Sequence, residues 1–408
     1  MLGHLIKTER IKQNMSQEAL CKDICAPSYL SKIENDRVQC SEEIYGQLFA
    51  ALNIEYIFDA ALIRRFDDAW AANWKSHVFG RYNNTEQNHA ELDYICKKLV
   101  FSPRTIDVHI AQCLSGAHAR NWETLNVLRL YRQSFTPRQE FYYLYFLALK
   151  HKYMNEYIEA AEIFGQIKGS GEPVVYVHLS YVCQMMGDYE RCIHISQEGF
   201  RLLAEQGNAA RMAEIYVALA CAYANLFMAS DMDRCMDVVR ELNTVLRNDN
   251  IQYDMDYNLG AARLVAGRHE EALGFLRDAV DLCERLEIGG IRYAMALQKL
   301  AFALIFLKLP EGLDAVARLK RQANTNNAVI NASIDVLDYM ATHPDYLQTA
   351  GYCELLERCF VLAKKQEHKG QEAFYGRFLI DAYKACRKYK KALEMSEAQN
   401  LSLKYQNR

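Results

Sequence analysis

Proline is scarce in this chain, with six residues among 408. So few breakers among many Ala, Leu, Glu, Lys and Tyr residues point to an almost wholly helical protein. No apolar run is long and clean enough to span a bilayer. The longest, from 293 to 309, is interrupted by Gln298, Lys299 and Lys308 and reads as a buried helix. The first residues, MLGHLIKTER, have no apolar signal core, so no leader is expected. The thirteen cysteines include no CxxC pair and their number is odd. That argues against a disulfide framework and for reduced thiols used as small buried residues. Cys21 and Cys25 could share a helical face, but no His or Cys stands at zinc-finger distance, so no metal is expected. There is no Gly-rich phosphate loop, HExxH or GxSxG, and His269-Glu270-Glu271 lacks the second histidine of a zinc helix. An enzyme and a bound cofactor are therefore not expected. Positive charge is not in excess either: the net charge is −3, and residues 1–60 hold six Lys/Arg against nine Asp/Glu. Non-specific attraction to phosphate should be weak.

What is present is ordinary globular composition, 51% hydrophobic and 24% charged. The length exceeds what one core usually serves, so two or more units of a soluble, cytoplasmic protein are expected. Leu2, Leu5, Ile6 and Ile11 make a first helical stripe ending near Asn14. Ser16 stands at a cap position with Glu18 in the first turn, ahead of a second helix that buries Ala19, Leu20 and Ile24. Pro27, tolerated at the first position of a helix, opens a third that runs through Leu30 and Ile33. Ser41 with Glu42 and Glu43 starts a fourth, carrying Ile44, Leu48 and Leu52. Four short helices, the second and third separated by about three or four residues, form a helix-turn-helix pattern.

The runs Ser16-Gln17-Glu18-Ala19-Leu20 and Ser28-Tyr29-Leu30-Ser31-Lys32-Ile33-Glu34-Asn35 resemble the phage-repressor-like Xre/Cro domain. The resemblance implies that Gln17 touches phosphate and that Pro27, Ser28, Tyr29, Ser31 and Lys32 face the major groove of double-stranded operator DNA. Ser28, Ser31 and Lys32 can donate to phosphates or base edges, and Tyr29 can lie against a thymine methyl. The resemblance also implies an internal ion pair between Arg10 and Glu34. Ala26-Pro27 replaces polar residues usual at the start of the recognition helix, and Asn35-Asp36 stands where Asn-Gly is usual. Fewer contacts and an acidic balance mean weak binding by one copy, so a homodimer on a two-fold site is expected. A protein-binding role for the small domain stays open.

From Phe146 onward a hairpin signal recurs. Tyr157/Ala160, Tyr189/Cys192, His269/Ala272 and Tyr389/Ala392 pair an aromatic or His with a small residue three positions on. The small residue lets antiparallel helices approach closely while the aromatic fills the gap between hairpins. The separations are 32, 80 and 120 residues; the longer two fit two and three repeats of about 40, with degenerate copies near 219–242, 300–319 and 334–362. The best copy spans Tyr257 to Ala279, with Gly260 and Gly267 in pattern. This series resembles the tetratricopeptide family.

The expected fold is thus all-α: a helix-turn-helix domain over residues 1–66, connecting helices over 67–134, and a tetratricopeptide-repeat-like right-handed superhelix over 135–408. A concave face lined by the first helix of each pair suits an extended peptide. Asn258, nine residues before Gly267, offers a donor and an acceptor to a peptide backbone, and Gln298 and His178 take the corresponding place in neighbouring units. The combination resembles the RRNPP group of peptide-responsive bacterial regulators, of the PlcR and NprR types. That resemblance implies a quorum-sensing transcription regulator with a short oligopeptide signal in its repeat groove and a homodimer through the repeats. The other reading is an adaptor whose repeats sequester a partner protein, with DNA binding secondary.

Overall fold

The computed structural model describes residues 2–80, 85–119, 121–322, 327–366 and 368–404. Among these there are twenty-two α-helices and three short 3-10 turns, and no strand. The chain divides into two compact units, 1–175 and 176–408.

The first unit opens with α1 (Leu2–Lys12), α2 (Gln17–Leu20), α3 (Pro27–Glu34) and α4 (Glu42–Ala51). The Ser16 hydroxyl accepts the Ala19 N–H at 3.1 Å, Pro27 starts α3, and Ser41 caps α4 by accepting the Ile44 N–H. Leu5, Ile6, Leu20, Leu30, Ile33, Leu48 and Phe49 form the core. Three expected core residues depart from this: Ile11 is exposed, Ala19 lies on the solvent side of α2, and Ile24 falls half-buried in the turn after α2. The turn from α2 to α3 is longer than its expected length: α2 ends at Leu20, and the chain passes through Asp23 at φ +62° before α3 begins. The left-handed residue after α3 is Asp36 at φ +53°, one position beyond Asn35. Its carboxylate accepts the N–H of Gly3 at 3.1 Å. At Gly3 a Cβ would lie 1.7 Å from the Ile33 carbonyl oxygen, so only glycine lets α1 lie this close to α3.

Asp59 then caps α5 (Ala60–Val78), followed by α6 (Thr85–Lys98), α7 (Thr105–Ala119) and α8 (Glu123–Tyr131). Phe66, Leu92, Ile95, Cys96, Leu99, Val108 and Ala111 make their core. The first repeat hairpin, α9 (Pro137–Tyr153) and α10 (Tyr157–Ile167), also belongs to this unit. Trp74 of α5 meets Phe141, Tyr142, Tyr145 and Phe146 of α9 edge-on, which fixes α5 against the hairpin.

The second unit begins within α11 (Val174–Met186). It continues through α12 (Tyr189–Glu205), α13 (Ala209–Asn225), α14 (Ala229–Leu246), α15 (Asp249–Val265) and α16 (His269–Arg285). Then come α17 (Gly290–Phe306), α18 (Glu311–Arg321), α19 (Ala328–Thr342), α20 (Ala350–Lys365), α21 (Lys369–Ala385) and α22 (Tyr389–Lys404). These are tetratricopeptide-like hairpins of consecutive helices. Tyr157, Tyr189, His269 and Tyr389 are each the first residue of a second helix, and Ala160, Cys192, Ala272 and Ala392 are buried in the seam. At Gly260 an added Cβ would sit 2.5 Å from Leu276, so this crossing needs a bare backbone. Tyr389 is 65% exposed, since no described helix follows α22 to cover it.

Candidate DNA-reading face and inner channel

Three donors converge on Glu34, which is fully buried at the end of α3. Arg10 of α1 reaches it through Nε and Nη2 at 2.6 and 2.9 Å, and the Gln17 amide of α2 donates at 2.6 Å. The expected Arg10–Glu34 ion pair is therefore formed, and it ties three helices together. Arg10 also donates to the Met15 carbonyl at 2.7 Å, which closes the link before Ser16. Glu34, by hydrogen bond and charge, raises the Arg10 pKa. Gln17 is half-buried with its amide engaged here, so reaching a phosphate requires giving up that bond.

On the opposite side of α3 the picture is open. Pro27, Ser28 and Lys32 are exposed, while Tyr29 and Ser31 are half-buried. Leu30 and Ile33 anchor the helix from below, so these five side chains are presented on a rigid element. Next to it, α1 rests on α8. The buried Tyr131 hydroxyl donates to Glu9 at 3.0 Å, Lys12 bonds Glu9 at 2.7 Å, and the His109 ring stacks on Tyr131. This joint was not foreseen in the sequence, because α8 lies about a hundred residues away and carries no motif.

In the second unit the first helices of the hairpins form the inner side. Asn258 of α15 is half-buried and donates to the Asp254 carbonyl of its own helix at 2.6 Å. Asp254 pairs with Arg292 at 3.1 Å and is half exposed, yet its carboxyl is pushed up to about 6, mainly by desolvation, which outweighs Arg292. Asp254, Asn258 and Arg292 thus form a polar cluster that is only partly covered. Neighbouring Tyr257 and Cys221 behave alike, with burial raising both; the thiol goes up to about 12. Arg211 of α13 adds a buried pair with Glu214 at 2.6 Å.

Gln298 is not on an open face. It is 1% exposed, and its amide donates to Ser333 of α19 at 2.7 Å and to Tyr375 of α21 at 2.9 Å. The left-handed turn residues explain the misplacement. Gly187, Gly267 and Lys308 each end the first helix of a hairpin with positive φ. Nine residues before them stand His178, Asn258 and Lys299. Without a glycine at 308 the sequence register slipped by one, and Lys299 is the true counterpart of Asn258. His178 holds the expected position in α11 and is buried.

Lys299 is 3% exposed, and its ammonium lies 3.1 Å from the centroid of the Phe374 ring. Lys299, Phe302 and Phe306 form one stripe of α17; Gln371, Phe374 and Phe378 form the matching stripe of α21. Their rings pack in a ladder, 5.5 Å from Phe302 to Phe374 and 5.3 Å from Phe306 to Phe378. The inner side is thus partly exposed at Asp254, Tyr257 and Asn258 of α15 and closed where α17 meets α21. Among the described residues no three His, Cys, Asp or Glu side chains converge as a metal requires, and no helix is long and apolar enough to cross a membrane.

A helix-turn-helix family profile matches residues 6–57. None of the curated proteins matches. Among solved structures, this chain is similar to a Rap protein complexed with competence and sporulation factor, with a TM-score of 0.68 and 13% identity over 84% of this chain and 99% of that one. It is also similar to the apo form of the quorum sensor NprR from B. thuringiensis, with a TM-score of 0.60 and 14% identity over 83% and 99%. NprR in complex with its cognate peptide NprX gives a TM-score of 0.56 and 15% identity over 77% and 98%. The chain therefore has an N-terminal helix-turn-helix domain and the helical-repeat fold of Rap and NprR.

Proposed function

We propose that this protein is a transcription regulator of the RRNPP type, binding operator DNA as a homodimer under the control of a short oligopeptide held in its repeat channel. The observation that carries this reading is the joining of two features in one chain. One is a rigid recognition helix with Pro27, Ser28, Tyr29, Ser31 and Lys32 turned outward. The other is a repeat unit whose first helices carry the partly exposed polar cluster Asn258, Asp254 and Arg292. The similar structures include a quorum sensor with its cognate peptide, which supports the ligand class.

In this reading Ser28, Ser31 and Lys32 hold phosphates and base edges, Tyr29 supplies apolar contact, and Gln17 sets the placement of α2 through Glu34. Asn258 exchanges its internal bond to Asp254 for a peptide backbone group, and His178 lines the same register two hairpins earlier. Peptide acts only as far as it favours one channel shape over another. The test is selection of duplexes from a random DNA pool by the full-length protein, with and without peptides selected on the same protein. A peptide-dependent change in affinity or footprint is expected. A protein that selects no duplex at all would break the regulator reading.

The adaptor reading is favoured by one observation, the acidic balance of the first sixty residues. A partner protein captured equally well after Ser31 and Lys32 are replaced, by a protein without operator affinity, would establish it.

A further inference from the structure

We propose that Lys299, together with Gln371 and the first turn of α21, forms an anchor for a carboxylate of the ligand, supplied either by a peptide's C-terminus or by an Asp or Glu side chain. The proposal rests on the peptide reading and assigns the chemistry of one end of that site. Two buried polar atoms lack hydrogen-bond partners among the described residues: the Lys299 ammonium, which lies over Phe374, and the side-chain oxygen of Gln371, one turn before Phe374 on α21. Lys299 is 3% exposed and Gln371 5%. An unpaired ammonium in such a place is costly, and the face of Phe374 offers attraction without neutralising it.

No neighbour supplies the missing charge. The Cys359 thiol is pushed up to about 12 by burial, the Tyr375 hydroxyl is raised well above its usual range, and burial holds His368 down in its neutral form. Among the described residues no carboxylate is hydrogen-bonded or ion-paired to Lys299. Burial lowers Lys299 itself to about 7. A second positive element converges on the spot. Side chains of a helix lean toward its N-terminus, so the Phe374 ring, and the ammonium on it, lie over the first turn of the 17-residue α21. His368 caps that turn by accepting the Gln371 N–H, and the Gln371 side-chain oxygen, unpartnered among the described residues, can accept from the ligand.

A carboxylate fits this set. Its oxygens take the ammonium, while an adjacent backbone N–H donates to Gln371. Lys299 and Asn258 hold the same register on α15 and α17, so one peptide can be gripped along its backbone by the first helix and at its charge by the second. Entry requires α21 to move off α17, parting the Gln298–Tyr375 bond, so the anchor also couples ligand to channel closure.

The test compares full-length wild type with Lys299→Met, and with Lys299→Gln in case the first variant fails to fold. Thermal unfolding is measured in sodium acetate against equal sodium chloride, and heptapeptides are selected from a random library with free C-termini. Acetate should raise the wild-type Tm above chloride and leave the variants unmoved. Selected peptides should bind the variants at least about tenfold more weakly. Loss of affinity on C-terminal amidation identifies the terminus as the source; loss on Asp→Asn or Glu→Gln replacement in the peptide identifies a side chain. An acetate effect without any selected peptide keeps the anchor and defeats the peptide reading. No acetate effect on wild type, or peptides that bind all three proteins equally, overturns the anchor.

Discussion

Glu34 in the N-terminal unit and Lys299 in the repeats are both buried charges, 0% and 3% exposed, and their surroundings differ completely. Glu34 receives three hydrogen bonds from two side chains on two other helices. Among the described residues Lys299 has aromatic faces and no hydrogen-bond partner. The first is a finished structural joint, where charge and hydrogen bonds close locally and hold α1, α2 and α3 in one geometry. The second is open to completion from outside. Rigidity therefore belongs to the part that presents a fixed face, and an unbalanced charge belongs to the part proposed to respond to a ligand.

The largest effect should come from breaking the finished joint. Glu34→Ala strands Arg10 beside a buried cavity and should cost about 3–5 kcal/mol. Calorimetry should show the N-terminal transition lowered while the repeats melt as before. Lys299→Met should do the reverse and stabilise the repeats at pH 7, because it removes a charge that has no partner. The sign follows from linkage. An unfolded lysine titrates at 10.5 and the folded one at about 7, so between these values the unfolded state binds more protons and stability rises with pH. Three titratable groups surround Lys299: His368, Tyr375 and Cys359. His368 acts below 6.5, while Cys359 and Tyr375 act above 9 with the opposite sign to Lys299. From pH 7 to 9 the advantage of Lys299→Met over wild type should therefore shrink steadily. A constant difference would mean that Lys299 already has a counter-charge.

A smaller stability effect, with a large effect on binding, is expected from the exposed side of α3. Ser31→Ala with Lys32→Ala should change stability by less than about 0.5 kcal/mol. It should weaken binding to a duplex selected by the wild type by about tenfold or more, and Lys32 alone should reduce the salt slope by about 1. Binding that survives both changes would place the recognition surface elsewhere and remove the functional half of the contrast.

Much of this was legible in the chain. Ser16, Pro27 and Ser41 act locally as caps and starts, so they mark α2, α3 and α4 at their observed first turns. The aromatic-to-small spacing marks the first residue of α10, α12, α16 and α22, since close helix approach restricts side-chain size at that point. What failed was register wherever geometry did not require a signature residue. Lys308 takes the same left-handed turn as Gly267, and so the inner position read as Gln298 belongs to Lys299. Long-range pairing was equally silent, because nothing in Glu9, Tyr131 or Tyr375 announces a partner far away in sequence.

The smallest effect tests that long-range joint. Tyr131→Phe deletes one hydroxyl, 2% exposed at the residue level, that donates to Glu9. Glu9 keeps its bond to Lys12 at 2.7 Å, so no charge is stranded and the loss should be only about 1–2 kcal/mol. His109 still stacks on the ring, so packing between α7 and α8 is retained. Amide exchange should quicken along α1 and α8 and stay unchanged in α3, whose anchors are Leu30, Ile33 and Glu34. If α3 loosens as well, the recognition helix depends on the α8 contact, and the N-terminal unit is less self-sufficient than the Glu34 network makes it.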